Sequence, residues 1–531
     1  MTDTTRPADN ALIMPTNMDL WHHRIISGKG EVSDVNLGLI VSDTTAELQV
    51  YNSYLVEQKL VKVNLVNLEG ISVAEATGRP PINLAPLRTK KIILDVSLYG
   101  STKIDGRVIL HFENGQIITI NLKGTRGLIW NVEPNWDEPL REKFSYKTDV
   151  IVSYNKNEQR RGFMSQPRRA FSYTATPSHT LLSTMRNVLY AMHNKPILCP
   201  VWWQPIRIKE ALIRGATRLK CVDLSGADTL QTGSIVLLWN NPFDYELAVI
   251  SRIEGNDILL QTSLSRTFYA TASCYPAVDI RFDPTITSTN MASAVSFMDV
   301  SADLVGKMNS IGKLIGDEAD LEKLNGIEVL SKRPNWSEEI VERFQSDVTI
   351  IDYGFGSKAW FNRGTPSMAS RELTFVSRSR VETAWWRRFI QRQKGQLKSF
   401  YVPTDTKDLI VTNDILSTVN NQVPVPKAIV VEDHRVTAML RKSDNRNFLR
   451  IRAKGKSYFF TIDRIEKFGD NARIHVKEEI PITIPKEDIS SACFVQRMRL
   501  ASDDVEIEHV TSTVAKIKLT LQQVKEIQNA K

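Results

Sequence analysis

A block of eleven residues built around a tryptophan occurs twice, and it constrains the fold of this chain more than any other feature. Pro134-Asn135-Trp136-Asp137-Glu138, followed by Glu142-Lys143-Phe144, returns 200 residues later as Pro334-Asn335-Trp336-Ser337-Glu338, followed by Glu342-Arg343-Phe344. Fainter echoes follow in the same order. Arg169-Ala170-Phe171-Ser172-Tyr173 matches Arg371-Glu372-Leu373-Thr374-Phe375, and Ile250-Ser251-Arg252-Ile253-Glu254 matches Ile462-Asp463-Arg464-Ile465-Glu466. Cys274 is echoed by Cys493, and the alternating run from Ala292 to Phe297 by that from Ala515 to Leu519. Long-period self-similarity of this kind predicts a tandem duplication of a whole domain.

Pattern fixes the fold class. Glu47 to Asn52 and Val61 to Val66 alternate, and Asn114-Gly115 stands between two alternating runs as a hairpin turn. Short strands with regular turns predict an N-terminal β-sandwich over 31–126, after an extended arm over 1–30. Each repeat then reads as strands, a helix and a further strand. Leu181, Met185, Leu189 and Met192 form one helical face, and Val381, Trp385 and Phe389 another, with Gly395 ending the second helix. Repeat 1 spans 127–300 with a small β-module inserted at about 207–283. Repeat 2 spans 328–524 with its module at about 408–500. A linker over 301–327 carries a short acidic helical piece near Asp317, and 525–531 form a tail. The expectation is a mainly β (α+β) chain.

Composition excludes some classes. Among 531 residues the net charge is only +8, a mild excess without the basic stripe of a nucleic-acid reader. The first twenty residues carry no secretory signal pattern, and no apolar run reaches the length of a membrane span. Four widely spaced cysteines form no metal or disulfide pattern, and Cys274 and Cys493 fit buried strand positions. No metal or cofactor motif stands out, and none is expected.

Chemistry has one foothold. Glu138 and Glu142, with Glu338 and Glu342, are paired carboxylates four apart. They suit either glycosidic acid–base work or the first turn of a short helix, where the dipole favours acids. Their recurrence in both copies favours architecture. Trp136 and Trp336 are expected to plug the core behind Pro134-Asn135 and Pro334-Asn335, with a sugar platform as the alternative. Of Trp202-Trp203 and Trp385-Trp386, one ring should face out, which makes Trp202 and Trp386 candidate subunit contacts. Arg160, Arg161, Arg168, Arg169, Arg387 and Arg388 join them as candidate interface residues.

The run Pro134-Asn135-Trp136, Thr148-Asp149-Val150-Ile151, Tyr154, Glu158-Gln159-Arg160-Arg161 and Pro167-Arg168-Arg169 resembles the distal-tail or minor tail-tip proteins of long-tailed bacteriophages. The glycine of that pattern's third element is replaced here by Lys156 or Asn157. In the second copy only Pro334-Asn335-Trp336, the aromatic and Arg371 survive. The resemblance implies a virion structural protein with tail-tube-like β-sandwich-plus-helix domains, assembled in the host cytoplasm. It implies a homo-oligomeric ring, either a trimer with pseudo-sixfold symmetry or a hexamer. Its partners would be the tail tube protein, the hub and other tail-tip proteins, with DNA passing through the lumen unread. A host-surface carbohydrate module and a glycosidase are the competing expectations.

Overall fold

The computed structural model describes residues 25–27, 34–40, 43–78, 80–97, 100, 103–192, 195–292, 295–305, 321–346, 348–362, 367–419, 426–433, 436–437 and 446–525. The expected N-terminal arm and the acidic piece near Asp317 lie largely outside these residues. The chain is mainly β. It divides into two compact units, 1–138 with 172–308 and 139–171 with 309–531.

In the first unit, nine strands build two sheets. One has the order β1 (Ile25–Ser27), β3 (Thr44–Asn52), β7 (Thr89–Val96), β5 (Ile71–Val73). The other has the order β2 (Asp34–Ile40), β9 (Ile117–Arg126), β8 (Lys103–Phe112), β4 (Gln58–Val66), β6 (Ile82–Leu84). Alternate residues of both sheets, among them Leu48, Val50, Leu94, Val108 and Leu122, share one apolar core. Period-two alternation places them there, because successive strand side chains point to opposite faces. The Asn114-Gly115 turn joins β8 to β9 with Gly115 at φ 82°.

The chain continues through β10 (Leu140–Ser145), β11 (Thr148–Val152), β12 (Glu158–Gly162), β13 (Arg168–Ala175), helix α1 (His179–Met192) and β14 (Ile197–Pro200). A module follows with β15 (Ile206–Arg207), β16 (Arg218–Lys220), β17 (Ile235–Asn241), β18 (Asp244–Glu254), β19 (Asp257–Leu260) and β20 (Ser273–Phe282) around its own core. Strand β20 runs on to pair with β14 and with β22 (Val295–Leu304), which also pairs with β21 (Thr287–Ala292). The order then recurs. After the short pair β23 (Lys323–Leu324) and β24 (Ile327–Glu328) come β25 (Val341–Gln345), β26 (Val348–Ile351), β27 (Ala359–Asn362), β28 (Met368–Ser377), α2 (Arg380–Gln393) and β29 (Ser399–Pro403). The second module holds β30 (Ala428–Glu432), β31 (Phe448–Ala453), β32 (Lys456–Phe468), β33 (Asn471–Val476) and β34 (Ile489–Leu500). Strands β35 (Asp504–His509) and β36 (Ala515–Gln523) complete the second unit.

Several echoes have a backbone meaning. The Ile-x-Arg-Ile-Glu stretches carry a register shift at the same place, between Ile250 and Arg252 on β18 and between Ile462 and Arg464 on β32. A bulge needs one extra residue on its strand, here Ser251 and Asp463. Cys274 and Cys493 are both fully buried on strands, β20 and β34. Both helices have fourteen residues. Ser379 caps α2 by accepting from the Glu382 amide, and Lys394 in the left-handed region ends it before Gly395. The buried face of α2 is Thr383, Ala384, Trp386, Arg387, Phe389, Ile390 and Gln393, so the expected stripe through Val381 and Trp385 is displaced. Val381 is exposed, in the first turn of the helix. On α1, Leu181 and Met185 are buried as expected while Leu189 is half-buried.

Close packing in the first unit leaves Gly106 no room for a side chain. A Cβ on Gly106 of β8 would stand 2.6 Å from the carbonyl oxygens of Val66 and Asn67. Gly106→Ala should therefore cost at least about 1–3 kcal/mol. Urea unfolding followed through the N-terminal sheets checks this, and an unchanged midpoint would contradict it.

Candidate functional site

The paired carboxylates do not sit on a helix. Leu140, Glu142 and Phe144 alternate inward along β10, so the segment has a strand's period and four-residue spacing places nothing on a helical face. Glu142 is fully buried and Glu138 is exposed.

Three cationic or donor groups surround Glu142 within the second unit. Arg169 Nη2 donates to Oε1 at 2.6 Å, and Arg387 Nε donates to Oε2 at 2.9 Å. His509 Nε2 stands 3.1 Å from Oε2 and, facing a carboxylate that only accepts, carries its proton there. Arg169 also covers the Phe144 ring, 5.4 Å from its centroid. Burial pushes the Glu142 carboxyl upward, but Arg387, Arg169 and His509 outweigh it and hold the group well below the usual carboxylate range. Such a group is an ionised structural anchor. Sealed from solvent, it cannot meet a glycan as acid or base.

The anchor fastens a long-range pairing. β10 lies antiparallel beside β35, with Leu140 opposite His509, Glu142 opposite Ile507 and Phe144 opposite Val505. On its other edge β35 pairs with β36. Phe144 and Tyr146 thereby join Trp386, Phe389, Phe400, Ile507 and Ile517 in one core. The β11–β12 hairpin is pinned nearby. Arg499 donates to both oxygens of Glu158, at 2.8 and 3.0 Å, and the Thr148 amide donates to Asp503. So 139–171, expected within the first repeat, supplies a strand and a hairpin to the unit formed with 309–531.

The candidate interface residues fall on both sides of the surface. Trp202 and Trp203 are both buried, the former edge-on to Trp239 and Tyr275. Trp386 is buried against Phe375 and Phe389, while its neighbour Trp385 is half-buried and stacked on Phe389. Trp202 and Trp203 lie in the turn that follows β14 and Trp386 lies on the buried face of α2, so Trp202 and Trp386 offer no external contact. Arg169 and Arg387 are likewise internal. Arg160 is half-buried beside Glu158, Arg388 is half-buried, and Arg161 and Arg168 are exposed.

The Pro-Asn-Trp motif works as a turn in both places. Pro134 and Pro334 are buried. The Asn135 amide donates to the Thr174 carbonyl and the Asn335 amide to the Thr374 carbonyl, at 3.0 and 2.6 Å. Each Asn side chain accepts from the amide two residues on, Asp137 or Ser337. The tryptophans are not core plugs. Trp136 is half-buried with φ 60°, and Trp336 is 56% exposed. The motif's polar backbone bonds, rather than its ring, hold the turn.

Sequence reasoning missed His509, Asp503 and the Glu158–Arg499 pair. The one signal for the cluster was the parallel recurrence of Glu142 with Arg169 and Glu342 with Arg371. Among the described residues no three His, Cys, Asp or Glu side chains lie together as a metal site. No protein-family model matches the chain, and no curated protein sequence matches it. Among solved structures, the secreted serine protease VesC from Vibrio cholerae aligns at 8% identity and a TM-score of 0.18. That alignment covers 49% of this chain and 51% of the protease, and a similarity so low carries no argument.

Removing one partner of a buried ionic group strands the others. Glu142→Gln should cost about 3–5 kcal/mol at neutral pH. Because the folded carboxyl titrates below its ordinary 4.5, its stabilisation is complete above that pH and is lost as pH falls toward the lower folded value. The gap between wild type and Glu142→Gln should therefore narrow steadily below about pH 4.5, measured by denaturant unfolding. A gap that is small at pH 7, or constant with pH, would contradict the anchor.

Proposed function

We propose that this chain is a non-enzymatic structural protein of a bacteriophage tail tip, a homo-oligomeric ring that connects the tail tube to the hub and fibres. The observation that carries the reading is the buried Glu142 cluster. Glu142, one of the carboxylates that could have served catalysis, is spent on fastening a strand into a sheet. The proposal includes a tandem duplication of a tail-tube-like β-sandwich-plus-helix domain after an N-terminal sandwich. Three matched details support it. The Pro-Asn-Trp turns make the same hydrogen bond to Thr174 and Thr374, and the bulges on β18 and β32 coincide. Parallel bridges join Ile129 to Leu198 and Val329 to Tyr401.

Two similar domains on one chain allow three chains to present six similar faces to a sixfold tube. Six chains would use both domains in each subunit. Head-to-tail contacts between different surfaces are the symmetry route to such closure. The resemblance of the Pro134 to Arg169 run to tail-tip proteins supplies the virion context.

A second reading, a host-surface carbohydrate module, draws on exposed rings at Trp336, Tyr353, Trp360 and Phe361. Glycan binding abolished by Trp360→Ala would favour it.

Light scattering with negative-stain class averages tests the ring. A closed ring of three chains with six similar lobes, or of six chains, is expected. A chain that stays monomeric at all concentrations, with glycan binding instead, would overturn the reading.

A further inference from the structure

The Glu142 anchor has an unfinished counterpart. Glu342 on β25 pairs with Arg371 on β28, whose Nε and Nη2 both donate to Oε1, at 2.9 and 2.7 Å. This repeats the bond between Glu142 and Arg169. Yet the Glu342 side chain is one-third exposed where Glu142 is sealed. Phe344 is 64% exposed where Phe144 is 0%. What covers Glu142 and Phe144 is β35 with His509 and α2 with Arg387; among the described residues β25 has no such cover.

The matching receiver lies in the first unit, with no second strand beside it among the described residues. β21 pairs with β22 as β35 pairs with β36, and Asn290 opposite Ser296 occupies the place of His509 opposite Ala515. All six residues of β21 are exposed, whereas β35 alternates buried and exposed. Arg186 is the eighth residue of α1, as Arg387 is of α2. Its Nη2 donates to Asn290 Oδ1 at 2.9 Å, and Ser296 Oγ donates to the same oxygen at 2.6 Å. Arginine and amide stand together at an open strand edge, in the arrangement that receives a carboxylate at Glu142.

We propose that β25 of one chain adds to the open edge of β21 in a second copy, seating Glu342 against Arg186 and Asn290. The register follows the internal pairing: as Leu140 faces His509 and Glu142 faces Ile507, Ile340 faces Asn290 and Glu342 faces Ser288. The added strand gives β21 its second row of backbone bonds, and Phe344 leaves water. Donor and receiver are different surfaces of one sequence, so each chain uses one of each and the contact propagates head to tail. An unpaired edge is a template for another strand, and here the complementary charges select which one. The inference deepens the ring reading and rests on it only for closure of the chains into a ring.

Charge exchange in the full-length chain tests the contact by sedimentation equilibrium. Glu342→Arg alone, and Arg186→Glu alone, should each weaken self-association about a hundredfold or more. The double variant should recover most of the wild-type affinity, a rescue that misfolding would not give. Glu342→Cys with Ser288→Cys should also form an interchain disulfide on oxidation, while either single variant should not. An oligomer whose mass ignores both single substitutions and yields no cross-link would overturn the strand pairing and leave the ring standing. A wild-type chain that remains monomeric would overturn both.

Discussion

One ionised carboxylate inside an apolar core governs much of the second unit. Burying Glu142 alone would be prohibitive, and only the convergence of Arg169, Arg387 and His509 makes it tolerable. Those partners come from β13, α2 and β35, and the carboxylate from β10. The cluster therefore tests four elements at once: a slipped register on any of them leaves a buried charge unmatched. Hydrophobic burial of Phe144, Trp386, Phe389 and Ile507 supplies stabilisation, and the ions supply the register. A one-residue slip of β10 would also turn Leu140 and Phe144 to the opposite face.

This division of labour explains why one arm is embedded and the other exposed. Both arms carry the glutamate, the phenylalanine and the arginine partner, but only the first meets a receiving strand within its unit. Chemistry held in common and cover held by one alone is the pattern expected of a repeated contact that is internal at one site and intermolecular at the next. The exposed Phe344 and the open β21 then become two halves of one interface, rather than two separate defects of the surface.

Local features were legible in the sequence. Alternation placed the strands of the N-terminal sheets, Asn114-Gly115 placed their hairpin, and Gly395 marked the end of α2. The Ile-x-Arg-Ile-Glu echo had a backbone cause that periodicity does not display, since a bulge is visible only when the partner strand is known. The helix face was displaced because Val381 and Trp385 outweigh Arg387 on any scale of hydrophobicity, although Arg387 is the buried residue. For the same reason the four-residue spacing of Glu138 and Glu142 suggests a helix surface. A charged residue is buried only by virtue of partners far away in sequence, here up to 367 positions. Strand alternation does not govern the paired tryptophans, because Trp202 and Trp203 sit in the turn after β14, where both rings are buried, and Trp385 and Trp386 sit on α2.

Hydrogen exchange of the backbone amides, followed across a range of protein concentration, tests this account most directly. Strands β10 and β35 should be protected at every concentration, with the stability of the core they share. Strands β25 and β21 should exchange quickly in dilute protein and become protected together as the chains associate. Protection of β25 without β21, or rapid exchange of β10 while β36 stays protected, would contradict it.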